Sequence, residues 1–469
     1  MKTIGKVLCI GLLLVGPWGT TAAQAKKGVA EEILDILRAN GQISEQQYRD
    51  LLNKARAEEE QAESVSQLRD TVSHLEKSVD DRPKNSLLPY WKGGLRLDSA
   101  DENFKLKIGG RILGDWTLYD TDKDIRKDVN RRNGVNPRRR IGDGTEFRQA
   151  RVMLSGEIYG NIKYKSQLDF AGQDADFKDV FVELTKIPYF GNLRVGHYKE
   201  PFSLEQANSR KYFMFMERGL SNAFSPERNT GFMLRNTIFD KRALWAVGLF
   251  RDAGDSGNSF GPDSNYNVTA RFSGLPWYEE DGKKLVHLGL SYSHQFRDGR
   301  GLRYRARPEA HLGPRFVDTG TFAAEGVDIF NPELGFQYGP ASMQFEWMSA
   351  LVDRGSQSDV DFSGFYVLGS YFLTGEHRSY KQSNGSFDKI TPRRNFDWNG
   401  GWGAWQLAAR YSTLDLNDKD IRGGELGNFT FAVNWYLNPN LRWTLNYVHA
   451  DLKNSGAANI FQSRFMVFF

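Results

Sequence analysis

From about residue 95 to its last residue the chain repeats one pattern: apolar and polar side chains alternate, two residues to the period, over stretches of 8–12 residues. Phe429, Phe431, Val433, Trp435 and Leu437 alternate with Thr430, Ala432, Asn434 and Tyr436. Leu441, Trp443, Leu445 and Tyr447 alternate with Arg442, Thr444 and Asn446; Tyr266, Val268, Ala270 and Phe272 alternate with Asn267, Thr269 and Arg271. The same holds across 104–108, 151–155, 162–169 and 405–412. A period of two belongs to a strand with two unlike faces, and this length suits a strand that crosses a bilayer at a tilt. Beyond residue 25 no run approaches 18 consecutive apolar residues, which excludes helical spans. The mean hydropathy of −0.55 is equally that of a soluble protein and decides nothing alone. Forty-seven glycines and 13% aromatics against 15 prolines suit many strands and turns, with aromatic girdles as one use for the rings.

The connections are of two kinds. Tyr159-Gly160-Asn161, Phe239-Asp240-Lys241 and Leu437-Asn438-Pro439-Asn440 are short turns, whereas 120–145, 199–230, 251–264 and 374–401 are long and polar. Short turns on one side and long loops on the other are the asymmetry of an outer-membrane barrel. The chain closes on Phe461, Phe465, Val467 and Phe469, which share one face up to a terminal aromatic. A soluble β-sandwich can end in the same way, but not with strands of this length behind a secretory leader. The expected fold is therefore all-β, a transmembrane antiparallel barrel over residues 95–469, and at roughly 20–25 residues per strand and connection it holds ~16 strands.

Residues 1–25 read as a signal peptide: Lys2 and Lys6 precede an apolar run from Val7 to Val15, and Ala23-Gln24-Ala25 follows as a small-x-small cleavage site. The one cysteine, Cys9, lies inside that run, so the mature chain is expected to carry no disulfide, zinc–cysteine site or covalent haem. Residues 26–82 read as helical. Val29, Ile33, Ile36 and Leu37 have helical spacing, Asn40-Gly41 ends that helix, and Ser44 caps a second one running to about residue 80. Val65, Leu68, Val72, Leu75 and Val79 are spaced 3, 4, 3, 4, the a/d seam of a coiled coil, although a lone amphipathic helix packed on another surface has the same pattern. Residues 83–94 read as a linker.

An arginine or lysine on the lipid face costs roughly 2–4 kcal/mol near the midplane, so the charged half of each alternation faces the lumen. That face carries Lys105, Lys107, Arg111, Arg151, Lys163, Lys165, Arg271, Arg410, Arg442 and Arg464 against Asp115, Glu157, Asp169, Glu183 and Glu346. The net charge is only +4, so a preference for anions has to come from placement. A mixed-charge wall of a general pore is the plainer alternative. The apolar loop 199–230 contains Phe202, Tyr212, Phe213, Met214, Phe215 and Met216 and should not float in water. Folded into the barrel, it would place Arg210, Lys211 and Arg218 at a constriction. Arg303, Arg305 and Arg307, spaced by two, share one face of an extended segment, and their planar forks suit phosphate oxygens. A solvated loop edge would look the same. The basic segment 120–145 can steer anions, hold lipopolysaccharide phosphates or be merely solvated.

These segments resemble the family of phosphate-selective porins O and P. The resemblance runs through Phe104-Lys105-Leu106-Lys107-Ile108-Gly109-Gly110-Arg111, Phe147-Arg148-Gln149-Ala150-Arg151, and Phe202-Ser203-Leu204-Glu205 with Ser209-Arg210-Lys211-Tyr212 and Glu217-Arg218. It continues through Arg305-Ala306-Arg307-Pro308, Leu373 to Tyr380, Gly403-Ala404-Trp405-Gln406 and Asn434-Trp435-Tyr436, spanning roughly residues 100–469. It implies a trimeric 16-stranded barrel in the outer membrane. In it Lys211 looks like the constriction lysine, Arg111 and Arg148 like central site residues, and Arg305, Arg307 and Arg315 like members of an arginine ladder with Arg303. Gln149, Gln206 and Glu309 depart from the family pattern, each removing positive charge or adding negative, and a broader anion pore is the alternative they raise.

The expected permeants are phosphate, pyrophosphate or other small anions, with membrane lipid and lipopolysaccharide as surroundings and peptidoglycan or a periplasmic partner for the helix. Neither a cofactor nor nucleic acid is expected. Rival readings are a barrel enzyme, a scaffold that sheathes an electron-transfer partner, and a sugar channel. The seven histidines lie in no nucleophile–base context, and most Trp and Tyr fall on the lipid face, which speaks against the first and the last.

Overall fold

A computed structural model describes residues 28–80, 86–172, 174–261, 265–298 and 301–469. The leader and Cys9 lie outside these residues. The chain divides at Pro83 and Lys84 into two units.

The first unit is helical. α1 spans Val29–Ala39 and ends at Asn40, followed by Gly41 with φ +70°. α2 spans Glu45–Asp80. Its start is a capping box: the Gln47 amide donates to Ser44 Oγ at 3.3 Å, and the Ser44 amide donates to Gln47 Oε1 at 3.0 Å. The first turns of α2 face α1, where Tyr48 donates to Asp35 at 2.7 Å and Arg56 reaches Glu31 at 3.2 Å. Further along, Val65, Leu68 and Val72 are exposed.

The second unit is a closed barrel. It is preceded by a hairpin of β1, Leu87–Trp91, and β2, Leu95–Ser99. This revises the expected linker over 83–94: Leu87 to Trp91 pair with β2 despite Pro89, which an edge strand tolerates. The barrel strands begin with β3 Phe104–Thr121, β4 Gly144–Ile158, β5 Ile162–Asp169, β6 Asp176–Ile187, β7 Gly191–Lys199 and β8 Arg228–Ile238. They continue as β9 Ala243–Arg251, β10 Tyr266–Glu279, β11 Lys284–Phe296, β12 Gly326–Tyr338 and β13 Ala341–Asp353. The last are β14 Val360–Phe372, β15 Ala404–Asp418, β16 Ile421–Asn438, β17 Leu441–Leu452 and β18 Gly456–Phe468. Each pairs antiparallel with the next, and β18 returns to β3, so the sixteen strands close and leave no edge in the bilayer.

The seam explains a pair of glycines. Phe469 exchanges backbone hydrogen bonds with Gly110 at 3.0 and 3.1 Å, and β2 takes over the row beyond the chain's end by pairing Leu95 with Ile108. A Cβ on Gly109 would stand 2.7 Å from the Phe469 carbonyl oxygen, so only glycine admits the terminus there. Trp91 stacks on Phe469 with centroids 6.3 Å apart.

Alternation runs as expected on most strands, with lipid-facing Leu407, Tyr411, Phe429, Phe431, Trp443 and Phe465 exposed and their neighbours buried. The lumen, however, is not polar throughout. At the end of the long loops its wall presents Val327, Ile329, Met348, Phe362, Leu414 and Val448, because loops pack there: Phe202 and Phe224 from 200–227, and Tyr304, Phe316 and Phe322 from 297–325, complete that core. Residues 374–401 are not among the long loops of that end. The connection from β14 to β15 lies with the short turns, and its first half folds up into the lumen, where Tyr380 and Phe387 pack against Leu204, Leu275 and Leu285.

Candidate pore site

Residues 200–227 fold into the lumen, and this loop is held almost entirely by the barrel wall. One turn of helix, Leu204–Ala207, sets its start: Glu346 of β13, fully buried, accepts the Leu204 and Glu205 amides at 2.9 and 2.7 Å, and Ser203 Oγ accepts the Gln206 amide at 3.1 Å. Further on, four successive wall donors take the loop's carbonyls. Arg442 donates to Phe213 at 2.6 Å, Asn434 to Met214 at 2.9 Å, Arg464 to Met216 at 2.5 Å and Arg410 to Glu217 at 3.0 Å. The apolar ridge Met214–Phe215 then seats on Tyr366, Leu368, Ala408 and Ala432. Arg410, Arg442 and Arg464, read from the sequence as lumen cations, are among the largest fully buried side chains and serve as loop anchors. A buried guanidinium has five N–H groups to satisfy, and carbonyls of an irregular loop are unpaired acceptors, so each meets the other's need.

Most other lumen cations are neutralised by carboxylates, several of which the alternation does not reveal. Glu217 receives Arg148 at 3.0 Å, Arg210 at 2.6 Å and Arg464 at 3.0 Å. Burial opposes its charge, yet Arg148, Arg210 and Arg464 together hold the Glu217 carboxyl well below the usual range. Arg151 pairs with Asp169 at 2.6 Å; Lys165 and Arg228 share Asp179 at 2.5 and 2.8 Å. Glu309 is no gap in a row of arginines. It is buried, pairs with Arg410 at 2.5 Å and accepts from Thr430 at 2.6 Å, pinning the loop 297–325 to the wall.

Two cavities lie along the lumen. The larger, about 600 Å³, carries fourteen lysines and arginines against four carboxylates. The smaller, about 340 Å³, lies on the long-loop side and is lined by Arg305, Arg307 and Arg315. They share Arg148, Arg210, Arg218 and Glu227, which therefore form the neck.

Of the residues singled out in the sequence, Arg111, Arg148, Arg151, Arg210, Lys211 and Arg218 all line the larger cavity. Lys105 and Lys107 line neither: Lys105 pairs with Glu102 at 3.1 Å near the turn end, and Lys107 stands opposite Arg96 of β2. Arg303 is held by Asp318 at 2.5 Å, leaving Arg305, Arg307 and Arg315 on the second cavity. Arg148 and Arg151 reach one lumen although an odd spacing places them on opposite faces of a regular strand. A bulge opposite Leu113 and Gly114 inserts one residue, so that Arg148 and Gln149 both turn inward. Sequence reading missed Lys199 and Arg228, paired across β7 and β8 at the two feet of the loop; a charge at each end of a long insertion was the available signal.

Arg111, Arg218 and Lys211, at the neck and chamber, are among the lining cations with no carboxylate within ion-pair distance among the described residues. Arg111 makes one hydrogen bond, to Ser209 Oγ at 3.3 Å, and its Nε has no partner. Arg218 Nε likewise has none, and its guanidinium lies 5.0 Å from the Phe213 ring. Lys211 Nζ sits 5.0 Å from the Phe468 ring and 5.3 Å from the Tyr212 ring. Burial, then the cations Arg111, Lys107 and Lys165, push the Lys211 ammonium down to about 7. Unpaired cations in a walled cavity are what an anion would complete.

A closed sixteen-stranded barrel with a loop folded into its lumen defines an outer-membrane porin, a channel rather than an enzyme. Comparison with known proteins gives the family. A model of the family described as phosphate-selective porin O and P matches residues 120–469. Porin O of Pseudomonas aeruginosa is 26% identical over 400 residues, covering 76% of this chain and 86% of that protein. An uncharacterized protein of Caulobacter vibrioides is 30% identical over 382 residues, 78% of this chain and 72% of the relative. Among solved structures, Salmonella typhi OmpF in complex with daunomycin superposes with a TM-score of 0.50 at 12% identity, covering 81% of this chain and all of that one, a likeness of fold. The chain belongs to the phosphate-selective porin O and P family.

Proposed function

We propose that this porin conducts small anions and prefers phosphate and related oxyanions. One observation carries the reading: Arg111, Lys211 and Arg218, without carboxylate partners, stand in and beside the neck between two cation-lined cavities. An anion passing from Arg305, Arg307 and Arg315 to this group meets a series of moderate sites rather than one deep well, which conduction requires. The family's description as phosphate-selective points the same way. We infer further that the barrel assembles as a homotrimer, as the family resemblance implies. The helical unit, joined at the turn end, would then stand in the periplasm, within reach of peptidoglycan or a protein partner.

Single-channel conductance in a planar bilayer tests the reading. In chloride, added phosphate is expected to block the current at submillimolar to low millimolar concentration. Anion-selective current that phosphate leaves unchanged would reduce the protein to a general anion pore. A silent bilayer with folded protein would favour a scaffold.

A further inference from the structure

The connection between β14 and β15 has a second half that leaves the lumen and lies on the lipid side of the wall. Residues 396–402 form a closed finger. The Phe396 amide donates to the Leu437 carbonyl at 2.6 Å, Asp397 bridges to Gly401, and Asp397 Oδ1 accepts the Asn399 and Gly401 amides at 2.8 and 2.9 Å. The Trp402 carbonyl accepts both indole N–H groups of the lipid-facing pair Trp405 and Trp435, at 3.1 and 2.8 Å. The Phe396 ring packs edge-on to Trp435 and Trp398, each 5.0 Å away. The finger is thus fastened to the outside of the barrel by its backbone and one ring. Its two remaining aromatics are nearly bare: Trp398 is 92% exposed and Trp402 72%.

Their position says what covers them. Trp405, Trp435, Trp443 and Phe465 face one another across β15 to β18 in register, a lipid-facing aromatic row at the turn end. Trp398 and Trp402 extend that row from an extra-barrel loop, mixed with Asp397, Asn399 and the exposed Arg394. Indole rings among polar and cationic groups at the edge of an apolar band match the headgroup region of a bilayer, where one end of the ring is wet and the other is not. We propose that residues 396–402 are an interfacial anchor seated among the phospholipid headgroups of the leaflet at the turn end, the periplasmic one. The anchor ties the lumen-filling half of the same connection to the membrane surface, which is independent of which anion the pore prefers.

The absence of cysteine from residues 10–469 makes the test direct. Trp398→Cys in the full chain, labelled with an environment-sensitive fluorophore, is reconstituted into phosphatidylethanolamine–phosphatidylglycerol vesicles containing nitroxide phospholipids. Phe465→Cys on the lipid wall and Lys419→Cys on the turn between β15 and β16 serve as references. The expected result is a blue-shifted probe that loses intensity to headgroup nitroxide more than to mid-chain nitroxide and resists aqueous iodide. Iodide quenching like that of Lys419→Cys, without quenching by lipid nitroxide, would overturn the proposal. So would protection from both quenchers together with cross-linking of Trp398→Cys between copies, which would assign the finger to a second protomer. Asn399→Cys, at an exposed position of the finger, repeats the measurement should Trp398→Cys fail to fold.

Discussion

A cation facing the lumen does one of three things in this barrel, and its partner decides which. Arg442 holds a loop carbonyl; Arg148, Arg151 and Arg210 are spent on carboxylates; Arg111, Lys211 and Arg218 have no carboxylate partner and are the cations proposed to meet a permeant. Lys211→Ala should therefore weaken phosphate block of chloride current by about tenfold or more, since a charge-assisted hydrogen bond contributes roughly 1.5–3 kcal/mol and each 1.4 kcal/mol is tenfold. Replacing Lys127, exposed on the helix Lys123–Arg132 and lining neither cavity, should change it little. An unaltered half-saturation in Lys211→Ala would refute the assignment. Its pH dependence has a definite sign. With the ammonium lowered to about 7 by burial and by neighbouring cations, it is charged below that pH and neutral above. Block by sulfate, which does not itself titrate there, should weaken as pH rises through about 7, and Lys211→Arg should flatten the profile. Glu217→Gln tests the opposite side of the balance. It releases Arg148 and Arg210, while Arg464 keeps Asp115, so block should tighten by about tenfold while the protein loses roughly 3 kcal/mol or more from two guanidiniums left without their carboxylate. Weaker block in that variant would mean Glu217 is needed to shape the neck rather than to neutralise it.

Elements, not residues, decide what the sequence could disclose. Strand positions and facing were legible because a period of two survives in any membrane strand, and the number of strands followed from length. The helix ends were legible because capping is local: Ser44 and Asn40-Gly41 sit where they were read. What the pattern could not show was any feature that breaks the period or joins distant segments. The β4 bulge moves Arg148 across the sheet by one inserted residue, and nothing in Phe147-Arg148-Gln149 marks it. The partners of Arg410 and Arg464, Glu309 and Glu217, come from loops some hundred or more residues away. The connection 373–403 was taken for an outward loop because its length resembles one; its end of the barrel is fixed only by counting strands. Anchoring of the constriction loop is accordingly an element-level property with its own test. Arg442→Met keeps the bulk of the side chain but removes the donor to Phe213, at a cost of about 1.5–3 kcal/mol for a hydrogen bond to a charged group. Open-channel conductance should rise and anion selectivity fall as the loop loosens, read from reversal potentials in a salt gradient. Unchanged selectivity would show that the remaining wall donors suffice.

At the scale of the molecule, two units with different physics share one chain. Each barrel strand pairs with its neighbours and the barrel closes through β3 and β18, with β2 pairing the start of β3. The hairpin β1–β2 adds only a short extension to the seam, and the helical unit before Pro83 holds its own contacts: α1 against the first turns of α2, through Tyr48, Arg56 and Leu34. Nothing in the barrel's closure draws on residues 28–80. By contrast, the far half of α2 is largely polar apart from the stripe Val65, Leu68, Val72, Leu75 and Val79, and a helix of that length without a partner gains little beyond its propensity. The asymmetry makes a prediction that separates conduction from attachment. Deleting residues 26–82 while retaining the leader should leave a barrel that inserts, conducts and is blocked by phosphate with an unchanged half-saturation, because neck and chamber are built wholly from residue 110 onward. Planar-bilayer conductance and heat-modifiable gel migration of the truncated protein measure both. Normal block with fewer inserted copies would assign the helices to assembly or anchoring, whereas a folded barrel with altered block would mean that the unit before Pro83 reaches the pore.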